Sequence, residues 1–171
     1  MAQKTDQAER AERALREVEQ EYTQGAQFPL RSYVGAMGTY TAVVAALAGI
    51  ARATRRPVPN PGPWDVVLLT GATHRLSRLI SRDPVTSPLR APFTHLRGTQ
   101  GPAELKEEVR GTGARKAVGE LLTCPFCTGM WISTGLCAGL VFAPGVTRLA
   151  AGGLTALTGS DFLHFLRAKL M

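Results

Sequence analysis

A chain of 171 residues has room for one domain and a short appendage, which excludes a multidomain enzyme or a long repeat array. Hydrophobic residues make up 44% but aromatics only 6%, with 18 glycines, a composition suited to close-packed membrane helices rather than to a water-soluble core of large side chains. The formal charge of +7 fits an anionic lipid surface or a nucleic acid, and a mean hydropathy of −0.01 averages a polar start with apolar stretches after it, so distribution decides.

Residues 1–31 form the polar part, read as a charged helix or flexible tail. Glu9 faces Arg13 and Glu12 faces Arg16 at helical i,i+4 spacing, with few apolar residues among them. Acidic residues crowd this stretch and no short apolar run follows a basic start, so a cleaved secretory signal is not expected.

The remainder, 32–171, reads as a membrane domain with apolar segments near 32–52, 64–81, 125–143 and 146–166. Ser32 to Ala51 contains 20 residues without a charge, enough for a helix of roughly 30 Å, and Arg31 and Arg52, Arg55 and Arg56 mark its ends. Pro57, Pro59, Pro61 and Pro63 then forbid a helix until Trp64. The segment from Trp64 is uncharged only from Val66 to Thr73, so Arg75 and Arg78 must snorkel or be paired if it spans; it counts as a partial or tilted span.

Residues 82–120 carry four prolines and seven Lys or Arg residues, which predicts a soluble basic loop with one short helix around Pro102 to Arg110. Leu121 to Thr147 is the longest uncharged run, 27 residues, and ends at Ala143-Pro144-Gly145. Gly135 and Gly139 stand at the spacing that lets membrane helices approach closely. The last segment holds Asp161 and His164, with Arg167 and Lys169 as terminal anchors. The expected fold is therefore all-α, a bundle of three to four transmembrane segments. With the basic loop inside, an even count places both termini in the cytoplasm.

Trp64-Asp65, the series from His74-Arg75 to Asp83, Ser87-Pro88-Leu89-Arg90-Ala91-Pro92-Phe93, Gly119 to Cys127, Trp131 and Ser160 to His164 follow one another in an order that resembles a bacterial membrane-protein family known as domain of unknown function 1360. The resemblance covers about residues 64–165. It implies a small multi-pass protein of the bacterial cell membrane with no assigned activity, some relatives being associated with sporulation, and it marks Asp83, Arg90 and Trp131 as motif positions.

Cys124-Pro125-Phe126-Cys127 is the main chemical clue. Thiols at a helix start, with Arg115 and Lys116 as basic neighbours, would favour the thiolate and disulfide redox. They are also half of a tetrahedral zinc site, which His74, His95, His164 or Asp83 would have to complete. The third reading is packing by two small buried residues, reduced in the cytoplasm. Asp161 paired with Arg75 or Arg78 would cancel two intramembrane charges at once, as a structural ion pair rather than a proton path.

No phosphate loop or nucleophile elbow occurs, and the basic residues flank apolar runs as anchors on anionic lipid do, which disfavours an enzyme and a nucleic-acid partner. The expectation is a non-enzymatic membrane scaffold that meets the lipid bilayer and binds a protein partner through its N-terminal helix and basic loop. The alternative is a thiol-redox or metal-binding membrane protein using Cys124 and Cys127.

Overall fold

The computed structural model describes residues 2–24, 30–101 and 103–171. Among the described residues, seven helices and one hairpin follow in the order α1 (Ala2–Thr23), α2 (Leu30–Ala53), α3 (Pro63–Ser81), a 3-10 turn (Pro84–Thr86), α4 (Ser87–Arg90), β1 (Thr94–Gly101), β2 (Glu104–Val109), α5 (Gly113–Thr123), α6 (Pro125–Phe142) and α7 (Pro144–Leu170). Residues 25–29, within the stretch 1–31 expected as a charged helix or tail, lie outside the described residues.

Two corrections concern the segment 82–120. The protein is mostly helical but not all-α, because β1 and β2 pair as an antiparallel ribbon with Thr94 opposite Val109 and Gly101 opposite Glu104. The helix expected around Pro102 to Arg110 is a strand over Glu104–Val109, and Pro102 itself lies outside the described residues. The cause is a two-residue alternation: Leu105, Glu107 and Val109 are half-buried while Lys106 and Glu108 are exposed. Gly98, at φ +130°, sits where the register slips, in a conformation that side chains disfavour. The same segment also holds most of α5, so the expected loop is a folded cap.

The four long apolar segments become α2, α3, α6 and α7. Among the described residues, α2 and α6 are long and apolar enough to cross a membrane. α3 and α7 carry charges within their lengths, and two ion pairs join them. Asp65 meets Arg148, the Leu68 carbonyl accepts from Thr155 Oγ1 at 2.7 Å, the Gly71 carbonyl accepts from Thr158 Oγ1 at 3.0 Å, and Arg75 meets Asp161. Partner numbers rise together, so α3 and α7 run parallel. α6 runs opposite to both, its Thr128 bonding Ser81 at the end of α3. α2 lies beside α6 through Tyr40, which bonds Thr134 at 2.9 Å and meets the Trp131 ring edge to face.

The interior is unusual in what it holds. The buried apolar side chains are Ala72, Ala117, Leu140 and Ala151, whereas Asp65, Ser77, Ser81, Asp83, Arg90, Thr94, Thr128 and Thr147 are buried polar residues. Large apolar side chains such as Met37, Ile50, Trp64, Leu149 and Phe162 face outward. Helices approach through small residues: a Cβ added at Gly71 would lie 2.6 Å from the Thr155 side chain. Exposed threonines on the bundle return their hydroxyls to their own helix, Thr41 to the Met37 carbonyl at 3.0 Å and Thr70 to the Val66 carbonyl at 2.8 Å, leaving few unpaired donors on an apolar exterior.

Candidate functional site

The best-built polar site lies in the cap, at Arg90. The turn after α3 is set by Pro84 and Pro88, which favour short helical starts and stop α3 from continuing. α4 then points Arg90 back beneath the end of α3, where it is 0% exposed. Its Nη1 donates to the Ile80 carbonyl at 2.6 Å and to Thr86 Oγ1 at 2.8 Å, and its Nη2 donates to the Asp83 carbonyl at 3.0 Å. Its Nε donates to the Glu107 carboxylate on β2. Thr94 Oγ1 donates to the Arg90 carbonyl at 3.0 Å. A guanidinium presents its donors in a fixed fork, so one residue here fastens α3, the turn and the hairpin together.

Other arginines of the cap are similarly occupied. Arg110 and Arg115 both donate to the Pro92 carbonyl, at 3.2 and 3.0 Å from their Nε atoms. Arg78 pairs with Glu104 at 3.0 Å, Arg97 with Glu108 at 2.6 Å, and Arg82 donates to Gln100 at 3.3 Å. Much of the basic charge read from the sequence as a partner-binding loop is therefore consumed in holding the cap.

Glu120 on α5 is half-buried, and its Oε2 has no hydrogen-bond partner among the described residues. Burial holds its pKa above the ordinary glutamate value.

Cys124 ends α5 and caps α6, its Sγ accepting the Cys127 N–H at 3.3 Å. All three cysteines are free. Arg115 is not the basic neighbour expected: it stands nine residues earlier on α5, roughly 13 Å along the helix, and is turned to Pro92. Burial and the neighbouring Cys124 act on Cys127 most, and the acid Glu120 adds to them. A helix, α5, precedes the pair where thioredoxin-type sites have a strand, so the spelling lacks the surroundings of a redox motif.

His74 is exposed on α3 and lines an apolar groove together with Phe126; His164 is exposed near the end of α7. Among the described residues no group of three or more His, Cys, Asp or Glu side chains is arranged to hold a metal, so the zinc set Cys124, Cys127, His74 and His164 does not assemble. Arg75 contacts both Asp161, at 3.0 Å, and Asp83, at 3.6 Å, while Arg78 turns to Glu104 instead. Gly139 on α6 abuts Thr147 on α7, whereas Gly135 has open space around it.

The family described as Protein of unknown function (DUF1360) matches residues 68–167. The chain belongs to this family. The chain is also 38% identical over 96 residues to the Bacillus subtilis (strain 168) protein named Sporulation protein YjcA, an alignment covering 54% of this chain and 77% of that one. No solved structure matches the chain. The DUF1360 region runs from within α3 into α7 and so contains the whole cap and the Arg90 site; α1 and α2 lie outside it.

Sequence reasoning missed the Arg148–Asp65 pair, a bidentate contact at 2.7 and 3.0 Å across the start of α3 and α7. The signal was an acid in the first turn of one segment and a base near the start of another. Asp65 also accepts from the Gly62 N–H at 3.2 Å, an ordinary role for an acid at a helix start. The Glu107 partner of Arg90 was missed as well, because it lay in the supposed loop.

Proposed function

We propose that the protein is a multi-pass membrane protein whose four apolar helices, α2, α3, α6 and α7, carry the cap as a rigid non-enzymatic scaffold at one face of a bacterial cell membrane. The observation behind this reading is the inverted distribution of side chains, polar and small inside, large and apolar outside, which is stable in hydrocarbon and would be an aggregation hazard in water. Alternating helix directions agree with four crossings and with both ends of the bundle on the cap side, which the positive-inside tendency would make cytoplasmic.

The cap serves as the surface a soluble partner reads. β1 is exposed along almost its whole length, from His95 to Gly101, and presents an edge that an extended segment of another protein can pair with. Its fastening by Arg90 makes that edge a preformed one. The name of the Bacillus subtilis relative supports a role in sporulation in organisms that form spores.

The reading is tested by fractionation and by end labelling. The protein should stay with membranes through high-salt and carbonate washing, and reporters at the two termini should report the same side. Release by carbonate, or opposite sides, would overturn the four-span arrangement.

A further inference from the structure

The end of the bundle opposite the cap carries a second site, which rests on the membrane reading above. A groove of about 710 Å³ runs between α2 and α6, walled by Val44, Leu47 and Ala48 on one side and by Ala138, Val141 and Phe142 on the other. Arg52, Arg55 and Arg56 line its mouth. From Val44 to Arg52 the groove follows eight residues of α2, roughly 12 Å, so an apolar floor leads from a cluster of cations towards the middle of the bundle.

The three arginines differ from those of the cap. Among the described residues no carboxylate pairs with any of them, whereas the other charges at this end, Asp65 and Arg148, neutralise each other. The backbone places them deliberately. The Arg56 N–H bonds to the Ala51 carbonyl at 2.9 Å and the Arg55 N–H to the Arg52 carbonyl at 3.1 Å, a helix ending in which the next-to-last residue takes the left-handed conformation. Glycine is the usual occupant there, and Arg55 adopts it at φ +50°. A second groove of about 940 Å³ between α3 and α6 shares Val58, Cys137 and Val141 with the first, so the apolar space forks.

We infer that this site binds an anionic phospholipid, its phosphate held by Arg52, Arg55 and Arg56 and its acyl chains lying in the forked groove. A cationic rim fits the phosphate. The apolar depth aligned with the helices fits the chains, and a soluble anion would leave that depth empty.

Full-length protein extracted in mild detergent tests this through its thermal unfolding on adding dioleoyl phosphatidylglycerol, dioleoyl phosphatidylcholine or glycerol 3-phosphate. Phosphatidylglycerol should raise the midpoint at concentrations at least about tenfold below those of phosphatidylcholine, a margin three surface cations readily supply. Glycerol 3-phosphate should do nothing over the same range. The triple variant R52Q/R55Q/R56Q should lose the preference and keep its midpoint in phosphatidylcholine, and Ala138→Phe, which fills the groove, should blunt the response to both lipids. Equal responses to the two lipids, a response to glycerol 3-phosphate matching that to the lipid, or a triple variant that keeps the preference would overturn the site. Release of the chain by carbonate without detergent would instead sink the membrane reading itself.

Discussion

The cap and the bundle are held together by opposite means. In the cap, one buried guanidinium gathers the Ile80 and Asp83 carbonyls, Thr86 and Glu107, and the surrounding arginines close on backbone carbonyls, carboxylates or a side-chain amide. In the bundle, α3 and α7 touch through Gly71, Thr155 and Thr158, with one ion pair towards each end. Charge concentrates where few apolar groups are buried, and small residues concentrate where large apolar ones face outward. The lesson is that each half uses the interaction its surroundings make strong: directional polar contacts for the cap, close backbone approach for the helices.

Breaking the cap should produce the largest effect. Arg90→Met leaves Glu107 buried without its partner, and we expect a loss of about 3–5 kcal/mol in unfolding measured in detergent, with the hairpin becoming protease-sensitive. Arg90→Lys should recover little, since an ammonium cannot reproduce the fork. Recovery by the double variant R90M/E107M would sharpen the point, attributing the loss to the orphaned carboxylate.

Breaking the bundle should cost less. Gly71→Val forces a branched side chain against Thr155 and should lower stability by about 1–3 kcal/mol. Gly35→Val on α2 serves as the control, since nothing lies within 4 Å of the added Cβ. Equal losses at the two glycines would show that helix propensity, not packing, sets the effect.

Glu120 offers a pH test confined to the cap. Its pKa is raised by burial, so the folded state favours the protonated acid; the stability this contributes is full below the unfolded value near 4.5 and disappears as pH rises through the raised folded value. Glu120→Gln should therefore leave stability unchanged in acid and add about 1 kcal/mol at neutral pH, read from unfolding midpoints at several pH values. A gain at low pH would refute the burial argument. The smallest effect is expected at the exposed end of the bundle, where a double-mutant cycle on Arg75 and Asp161 should give a coupling of about 0.5 kcal/mol that weakens with salt.

Legibility in the sequence also divides between the halves. α2 and α6 follow from charge-free runs, which leave a contiguous signal along the chain. α3 was harder: its uncharged stretch ends at Thr73, and only pairing with Asp161 and Asp83 accommodates Arg75. The hairpin was hidden because Glu107 alternates inward with Leu105 and Val109, and an acidic residue at an inward position breaks the apolar pattern by which strands are recognised. Its partner Arg90 was visible only as a motif position, since a contact between residues seventeen apart has no local trace. At the cysteine pair, nearness along the chain is a poor guide to which charges lie close. Arg115 is near Cys124 in number but a rigid helix carries it away, whereas Glu120 remains within reach.

Arg90 also bears on the order of assembly. Its acceptors come from the end of α3, from the turn after it, and from a strand that emerges later in the chain. Until β2 folds back, the guanidinium cannot complete its set while being shut away from water, so a half-formed cap pays the cost of an incompletely satisfied buried charge and is scarcely populated. The cap then closes as a unit, after the chain has reached Glu107 and the end of α3 stands ready to receive it. Arg90 thus acts as a latch that shuts only on a complete and correctly threaded chain.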